Sequence, residues 1–358
     1  ELNKSIYWMP DYAGSRQFDS WLANLRDNCI TRQRTWGTPF PVWKCESCGE
    51  LTVIGSREDI ISNGGKVPED LHPPWIDGVT FKCKCGGTKK RIHGILDVWI
   101  DAGSTSWNCL DYPPNQGLFD LMYPADFILE GIDQVRGWFN MLFVASMVSM
   151  QRPSFKAVYM HGFINDALGR KMSKSLGNYI LPEEVVRKFG NDAFRYYMIG
   201  ATNPGLDLNY NMEDLKIKIR NLGVLWNLNE LLVSSARLAG INPSKLSPKK
   251  FDIEDRFMLS KLNSTIVHTT EMYEKYRLNE IPWAVEELYL SLSRDYVRLV
   301  RDKLNLGEQA EKEKVLYVMY SVLTGTIKLF APVCPYITES IYQNLKKGFE
   351  LEEESIHL

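Results

Sequence analysis

Apolar residues recur at helical spacing through most of the second half of the chain, starting at about Met212. Residues three and four apart share one face of a helix, so successive stripes predict helices that pack through these faces. We therefore predict an all-α bundle of four or five helices over residues 211–358, with the apolar stripes as its core. The stripes include Leu215, Ile219, Leu222, Phe257, Leu262, Ile266, Trp283, Val285 and Leu288.

The first half of the sequence has a different pattern, in which short runs of strand-forming residues alternate with a helical segment. Runs typical of strands lie at residues 95–100, 125–130 and 157–161, and a largely apolar helical segment at residues 134–150 separates the last two. A strand, a covering helix and another strand predict a crossover unit in a parallel sheet. A short helix is predicted at residues 182–189, where Pro182 occupies the first position and a glycine follows the end.

Composition sets limits on the class of protein. A length of 358 residues predicts two or three domains, and a hydrophobic content of 44% excludes disordered, collagen-like and coiled-coil chains. No apolar run approaches the roughly 18 residues of a membrane span, and no signal or transit segment is present, so we expect a cytoplasmic protein with no membrane partner. We also expect a monomer. The net charge of −2 neither indicates nor excludes a nucleic-acid partner, because a local basic patch is sufficient.

Two closely spaced pairs of cysteines, each followed by glycine, stand out in the first hundred residues. Cys45 and Cys48 form the first pair, and Cys83 and Cys85 form the second. Four thiolates complete a tetrahedral shell and leave no position for substrate, so the spacing predicts a structural Zn²⁺ site. Two disulfides or buried free thiols are the alternative, which the C-x-C spacing and the lack of a secretion signal disfavour. The other three cysteines have no partner by spacing and are expected to be core thiols: Cys29, Cys109 and Cys334.

The string from Gly169 to Asn178 is a flexible cationic segment. It contains Lys171 and Lys174 with hydroxyl side chains at Ser173 and Ser175, and glycines stand at both ends. Two ammonium groups on a mobile loop suit a polyphosphate whose charge must be stabilised while a bond breaks. The alternative is a solvated turn with no ligand.

Residues 171–175 of this segment have the sequence K-M-S-K-S, which resembles the second signature of the class I aminoacyl-tRNA synthetases. The segment Ile30–Pro39 is similar to the I-S-R-Q-R-x-W-G run of the isoleucyl, valyl and leucyl branch. Residues 97–103, 130–139 and 331–339 resemble its D-V-W-F-D-S-G, E-G-x-D-Q-x-R-G-W-F and A-P-x-x-P-x-x-T-E motifs. The cysteine insertion and Asp70–Pro74 look like isoleucyl enzymes of the archaeal and eukaryotic kind.

The resemblance implies a fold and a reaction. The fold is the C-terminal half of a Rossmann-like α/β catalytic domain with a small zinc-binding insertion, followed by the helical anticodon-binding domain. The reaction joins isoleucine to ATP as an aminoacyl-adenylate, with Mg²⁺ sharing the phosphate charge, and then transfers the acyl group to tRNA(Ile). No protein nucleophile is needed, so positioning and charge stabilisation supply the rate.

The resemblance also assigns roles to residues. Lys171, Lys174, Ser173 and Ser175 are expected to act on the departing phosphates. Trp99 and Trp138 are expected to wall the side-chain pocket, although core packing is the alternative for each. Arg32 and Arg34 are either salt-bridge partners or contacts to the tRNA acceptor end. Residues expected to line the nucleotide and adenylate pocket are Glu130, Gly131, Asp133, Gln134, Gly162, Phe163 and Met172.

Two family features do not occur in this sequence. There is no His-x-Gly-His element, since His161 and Gly162 are followed by Phe163, and no editing domain precedes the Ile30–Pro39 segment. We therefore expect a fragment that is inactive alone. The alternatives are a valyl enzyme of the same branch, a non-catalytic zinc-stabilised tRNA-binding module, and another nucleotidyltransferase of the superfamily.

The predicted domain division follows from these assignments. Residues 1–43 and 94–210 form the partial catalytic domain, and residues 44–93 form the zinc-binding insertion. Residues 211–358 form the anticodon-binding domain, truncated at its C-terminus.

Overall fold

The computed structural model describes residues 1–358, whose packing divides them into two units, Glu1–Met160 and His161–Leu358. The strands of the chain are β1 Tyr7–Met9, β2 Thr31–Arg32, β3 Val42–Cys45, β4 Leu51–Val53, β5 Thr80–Lys82, β6 Thr88–Arg91, β7 Ile95–Leu96, β8 Ile128–Gly131, β9 Ala157–His161, β10 Ile164–Asn165 and β11 Leu208–Asn209. The helices of the first unit are α1 Asp19–Ala23, α2 Arg57–Ser62, α3 Val98–Gly103, α4 Thr105–Asn108, α5 Gln116–Met122 and α6 Trp138–Met150.

A three-stranded sheet forms the centre of the first unit, with β9 between β1 and β8. β1 and β9 are parallel, with Tyr7 opposite Ala157. The strand predicted at residues 157–161 is confirmed, whereas the strand predicted at 125–130 begins only at Ile128. The short strand β1 was not predicted.

The core of this sheet is aromatic and closely packed. Trp8 on β1 meets Phe18, Phe139 and Phe155 at ring-centroid distances of 5.0, 5.9 and 6.4 Å. A Cβ on Gly14 would lie 2.2 Å from the Trp8 ring, so only glycine allows the π-helical turn Ala13–Phe18 to approach this side chain.

The helical segment predicted at residues 134–150 is interrupted. A 3₁₀ turn covers Ile132–Val135, and α6 begins at Trp138. The break lies at Gly137, and the Gln134 side-chain oxygen accepts the Trp138 amide at 2.8 Å, which caps the new helix.

The strand predicted at residues 95–100 is wrong beyond Leu96. The chain turns into helix α3 at Val98, because the Asp97 carboxylate accepts the Trp99 amide at 2.9 Å as an N-cap. Apolar residues here serve a short helix that packs on α6 rather than a longer strand.

The insertion is a four-stranded antiparallel sheet in the order β4-β3-β6-β5. Trp43 is the largest buried side chain, and its indole donates to the Val79 carbonyl at 2.8 Å. The small core comprises Trp43, Ile54, Ile60, Ile76, Val79 and Phe81.

The second unit confirms the predicted helical bundle. One large apolar core extends through it, with α10 packing on α14, α9 on α15 and α11 on α14. The helix predicted at residues 182–189 has those bounds. The helices are α7 Pro182–Phe189, α8 Asn191–Gly200, α9 Met212–Ala239, α10 Ile253–Glu274, α11 Ile281–Ser291, α12 Val297–Leu299, α13 Arg301–Leu306, α14 Gln309–Phe330 and α15 Pro335–Phe349.

Some residues expected in cores are exposed. Phe257, Ile266 and Trp283 belong to the helical stripes but lie at the solvent edge of their helices. Cys29 and Cys109 are exposed as well, so they are not core thiols, whereas Cys334 is buried as expected. Helical spacing predicts which face of a helix a residue occupies, but the neighbouring elements determine whether that residue is shielded from solvent.

The domain boundary predicted at residue 211 remains a prediction. The packing of the chain divides it after Met160 instead. Residues on α7, α8 and β11, such as Val185, Tyr196 and Leu208, join the same apolar core as the long helices. None of the helices combines the length and the apolar character required to cross a bilayer.

Candidate functional site

The cationic string forms a loop directly after strand β10. We call residues 169–178 the lysine loop. β10 pairs in parallel with β11, with Ile164 opposite Leu208, and Asn165 at the end of β10 forms an antiparallel bridge with Lys171. The bridge holds the base of the lysine loop beside the end of a strand, where ligands bind in parallel sheets.

Asp166 anchors the amino end of the lysine loop. One carboxylate oxygen accepts the amides of Leu168 and Arg170 at 3.0 and 2.9 Å, and the other accepts the Arg170 guanidinium and the Asn178 amide at 2.9 and 3.0 Å. The Asn178 amide and the backbone amide of Arg170 hold the pKa of Asp166 far below its usual range. The residue is buried and ionised, and its donors come from Leu168 and Arg170 at the start of the loop and from Asn178 at its end.

The middle of the lysine loop is a short 3₁₀ turn, Lys174–Leu176. Ser173 caps this turn, because its hydroxyl accepts the Leu176 amide at 3.2 Å, and it also lies 3.1 Å from the Ser175 hydroxyl. Met172 points the other way and packs against the apolar core of the helices. The turn thus has one buried contact and an exposed tip.

The ammonium groups of Lys171 and Lys174 are free for a ligand. Both side chains are exposed, and neither takes part in an ion pair with a carboxylate. Two unpaired cations at a strand end can neutralise a polyphosphate, since each carries a compact point charge on a flexible stem.

Gly162 and Phe163 lie just before β10. A Cβ on Gly162 would lie 2.3 Å from the Leu206 carbonyl carbon, so this close approach of two backbones requires glycine. The Phe163 amide donates to Asp207 at 2.7 Å, and its ring is half exposed. His161 has its Nδ1 2.7 Å from the Gly162 carbonyl.

Glu130 and Gly131 end strand β8 in the other unit, and Asp133 and Gln134 follow it. Glu130 accepts the Gly131 amide at 3.2 Å, and Gln134 donates to Asp133 at 2.7 Å. Glu130 and Asp133 are exposed, whereas the oxygen of Gln134 is engaged by the start of α6. The Asp133 carboxylate is therefore accessible to a cationic or hydroxyl-bearing ligand.

The two candidate tryptophans, Trp99 on α3 and Trp138 on α6, lie where these helices pack together. The Trp138 indole donates to the Ala102 carbonyl at 3.1 Å, and a Cβ on Gly137 would lie 3.2 Å from the edge of Trp99. Gly103 allows the helices to meet, because a Cβ there would lie 2.8 Å from the Met141 carbonyl oxygen. Trp99 is 40% exposed, so a ligand can reach its face.

The four cysteines form one cluster. Their sulfurs all lie within 4.8 Å of one another, with Cys45 3.6 Å from Cys85 and Cys48 3.6 Å from Cys83. A tetrahedral zinc ion with Zn–S bonds of about 2.3 Å requires sulfurs about 3.8 Å apart, so the cluster fits this ion. Backbone hydrogen bonds from Cys48 and Ser47 lower the pKa of the Cys45 thiol to about 6.

Arg32 is a structural partner rather than a free cation. Its guanidinium forms an ion pair with the buried carboxylate of Asp97 and donates to the carbonyls of Cys29 and Thr31 at 2.7 and 2.9 Å. Arg34 is exposed. The salt-bridge alternative therefore describes Arg32.

The sequence analysis missed the polar residues that hold the site. Asp166, Asn178 and Asp207 were not singled out, although together they bind the backbone before and within the lysine loop. The available signal was an aspartate and an asparagine flanking a glycine-bounded turn, a setting in which both residue types bond to backbone.

Comparison with known proteins places these features in a family. Residues 1–211 match the family described as tRNA synthetases class I (I, L, M and V). The chain belongs to the class I tRNA synthetases. Residues 255–358 match the anticodon-binding domain of tRNA ligases.

Curated relatives agree along the whole chain. It is 40% identical over 358 residues to an isoleucine–tRNA ligase of Methanothrix thermoacetophila, covering 99% of this chain and 34% of the relative. It is 39% identical to one from Methanosarcina barkeri, covering 100% of this chain and 35% of the relative. The chain spans about a third of the length of the curated relatives that it matches.

Solved structures show the same fold. A leucyl-tRNA synthetase of Agrobacterium radiobacter K84, in a ternary complex with tRNA, aligns with a TM-score of 0.69 at 23% identity, over 93% of this chain and 43% of that one. A methionyl-tRNA synthetase of Mycobacterium tuberculosis, in complex with methionyl-adenylate, aligns with a TM-score of 0.70 at 20% identity, over 99% and 62%.

Proposed function

We propose that this chain is part of an isoleucine–tRNA ligase, which joins isoleucine to ATP and transfers the activated acyl group to tRNA(Ile). The observation that carries the proposal is the lysine loop, in which two unpaired ammonium groups stand at a strand end, in a chain whose relatives bear that name. The substrate of the first step is ATP with its Mg²⁺ counter-ion.

Lys171 and Lys174 act on the phosphates. As the isoleucine carboxylate attacks the α-phosphorus, negative charge accumulates on the departing pyrophosphate. Ammonium groups that approach this charge lower the barrier only if they bind it more tightly in the transition state than in bound ATP. Ser173 and Ser175 supply hydroxyl donors beside them, and Met172 fixes the loop to the helical core.

The other candidate residues bind the rest of the adenylate. Gly162 and Phe163 border the adenine, and Gly131, Asp133 and Gln134 line the adenylate pocket. The Glu130 carboxylate accepts hydrogen bonds from the substrate ammonium or a ribose hydroxyl. Acceptors of this kind position the two reactants, which is where most of the rate of such a reaction originates.

Trp99 and Trp138 form the walls of the amino-acid pocket. Their place at the junction of α3 and α6 gives a rigid aromatic slot suited to a branched aliphatic side chain. An additional methylene in such a slot contributes about 1–3 kcal/mol, a range for which isoleucyl-tRNA synthetase is itself the standard example.

Residues 44–93 form a zinc-binding insertion in this proposal, and residues 211–358 contribute the anticodon-binding helices. Cys45, Cys48, Cys83 and Cys85 would hold the ion, which supplies a cross-link between the turns that carry the two cysteine pairs. Residues 1–43 and 94–210 form the catalytic part.

Amino-acid-dependent ATP–pyrophosphate exchange tests the proposal in the full-length gene product that contains these residues. We expect exchange with isoleucine, at least about tenfold weaker exchange with valine, and none with leucine. Faster exchange with valine would favour the valyl alternative. Binding of tRNA without exchange for any amino acid would favour the non-catalytic module.

The 358-residue chain alone provides the matched control. It contains no His-x-Gly-His element, so we expect it to show no exchange at protein concentrations at which the full-length product is active. Robust exchange from the chain alone would contradict the assignment of these residues to one half of the catalytic domain.

A further inference from the structure

One side chain, Asn178, connects three separate points of the lysine loop. Its Nδ2 donates to the Asp166 carboxylate at 3.0 Å and to the Lys171 carbonyl at 3.2 Å. Its Oδ1 accepts the Ser173 amide at 2.9 Å. Asn178, the last residue of the lysine loop, is thereby bound to Asp166 before the loop and to two backbone positions within the loop.

Only a side chain that both donates and accepts can make these contacts. Asp166 is a buried, ionised acceptor, which orients the Asn178 amide so that its nitrogen faces the carboxylate and its oxygen faces Ser173. Alanine would make none of the three contacts, and an ionised aspartate at this position would place two carboxylates about one hydrogen-bond length apart.

The contacts fix the backbone beside each lysine. The Lys171 carbonyl is held directly. Lys174 is the first residue of the 3₁₀ turn, and that turn is capped by Ser173, whose amide Asn178 holds. The loop tip, Lys174–Gly177, is exposed, so the base of the loop is fixed while its tip is free to follow the phosphates.

We propose that Asn178 is a positioning residue for phosphate departure: through Asp166 and the loop backbone it sets the starting positions of Lys171 and Lys174. The inference rests on the proposed function and deepens it. Loss of the contacts spreads the ammonium groups over more conformations, which weakens charge stabilisation in the transition state more than binding of ATP.

The test compares three variants of the full-length product in isoleucine-dependent ATP–pyrophosphate exchange. For N178A we expect kcat to fall about 10- to 100-fold with the KM for ATP changed less than about threefold. N63A is the matched control, because it removes an asparagine whose amide donates to a backbone carbonyl, that of Asp59 at 2.9 Å, outside the site. Its kcat is expected to stay within about threefold of the parent.

The N178D variant should show a pH dependence of kcat that a general loss of structure would not produce. When protonated, its carboxyl group can donate to Asp166 and accept from Ser173, and proximity to Asp166 raises its pKa. Its kcat relative to the parent should therefore rise as the pH falls from about 8 to 6, whereas the ratio for N178A should stay flat.

Trypsin cleavage after Lys171 and Lys174 provides a measurement that does not depend on activity. We expect N178A to be cut at least about fivefold faster than N63A at these two bonds, with equal melting temperatures to within a few degrees. If the parent shows no exchange with any amino acid, the proposed function fails and cleavage alone decides the positioning role. Parental kcat in N178A, a raised KM with unchanged kcat, or equal effects of N63A would overturn the inference.

Discussion

The ion pair between Arg32 and Asp97 leads to a quantitative prediction about the first unit. Asp97 caps helix α3 through the Trp99 amide and neutralises Arg32, with its own side chain almost fully buried. Removing an N-cap destabilises by about 1 kcal/mol. Breaking an ion pair whose guanidinium is 40% exposed adds roughly 1 kcal/mol, because solvent screens much of the pair. Asp97→Ala should therefore lower the free energy of unfolding by about 2 kcal/mol.

Asparagine separates the two contributions, since it can still cap the helix but carries no charge. We expect Asp97→Asn to lose about 1 kcal/mol. For a unit of 160 residues these losses correspond to melting temperatures lowered by about 4–8 °C for alanine and about 2–4 °C for asparagine. Near-UV circular dichroism on heating and in urea measures both.

The exposed pair of Asp126 and Lys156 is the matched control. Its nitrogen–oxygen distance is 2.6 Å, yet its side chains are 82% and 59% exposed, so Asp126→Asn should change stability by less than about 0.5 kcal/mol. Equal losses for the alanine and asparagine variants of Asp97 would refute the capping role. Substitution of Arg32 that weakens tRNA binding without any loss of stability would refute the structural assignment of that residue.

Three further predictions concern the metal cluster, the loop and the bundle. Cys45→Ser should abolish the one zinc per chain that metal analysis of the reduced protein is expected to find; a metal-free reduced parent would refute the site. Lys174→Ala in the full-length product should lower kcat for exchange about 10²- to 10³-fold, and parental rates would remove this residue from the chemistry. Hydrogen bonds from Lys303 and Lys314 lower the pKa of Asp252 to about 2 from 3.8, so its contribution is present above pH 4 and lost as the pH falls through about 2. Because this carboxylate is partly exposed, Asp252→Asn should cost only about 0.5–1 kcal/mol at pH 6, where urea unfolding measures it. The cost should be clearly smaller at pH 2, where about half of the carboxylate is protonated in the folded protein.

Elements with local signals were predicted well. The helix Pro182–Phe189 has a proline at its first position and a glycine after its end, and both bounds are confirmed. The buried strand Ala157–His161 is a short apolar run that no polar residue interrupts, and it too has the predicted bounds. In each case the residues that define the element are the ones that begin and end it.

Elements that depend on distant partners were predicted less well. The run at residues 95–100 has strand-like composition, but the capping contact of Asp97 begins a helix, and its partner Arg32 lies far away in sequence. Trp283, which is exposed although it was expected in the core, is a similar case. Helical periodicity predicts which face of the helix carries this side chain, but not how far the neighbouring helix covers that face.

The same distinction applies to the candidate site. Cysteine spacing was enough to predict the four-sulfur cluster, since each pair is held by its own turn. The contact between Asp166 and Asn178 bridges twelve residues and has no spacing rule, so it became visible only in the structure.

The network around Asp166 also explains why the lysines are available. A carboxylate lies only five residues before Lys171, and an unsatisfied one would attract the nearby ammonium groups. Asp166 does not, because backbone amides, Arg170 and Asn178 already supply donors to both of its oxygens. Its charge holds the base of the loop, and the positive charge of Lys171 and Lys174 remains without a protein partner. The proposed phosphate role of the lysine loop requires both conditions, and a single buried aspartate provides them.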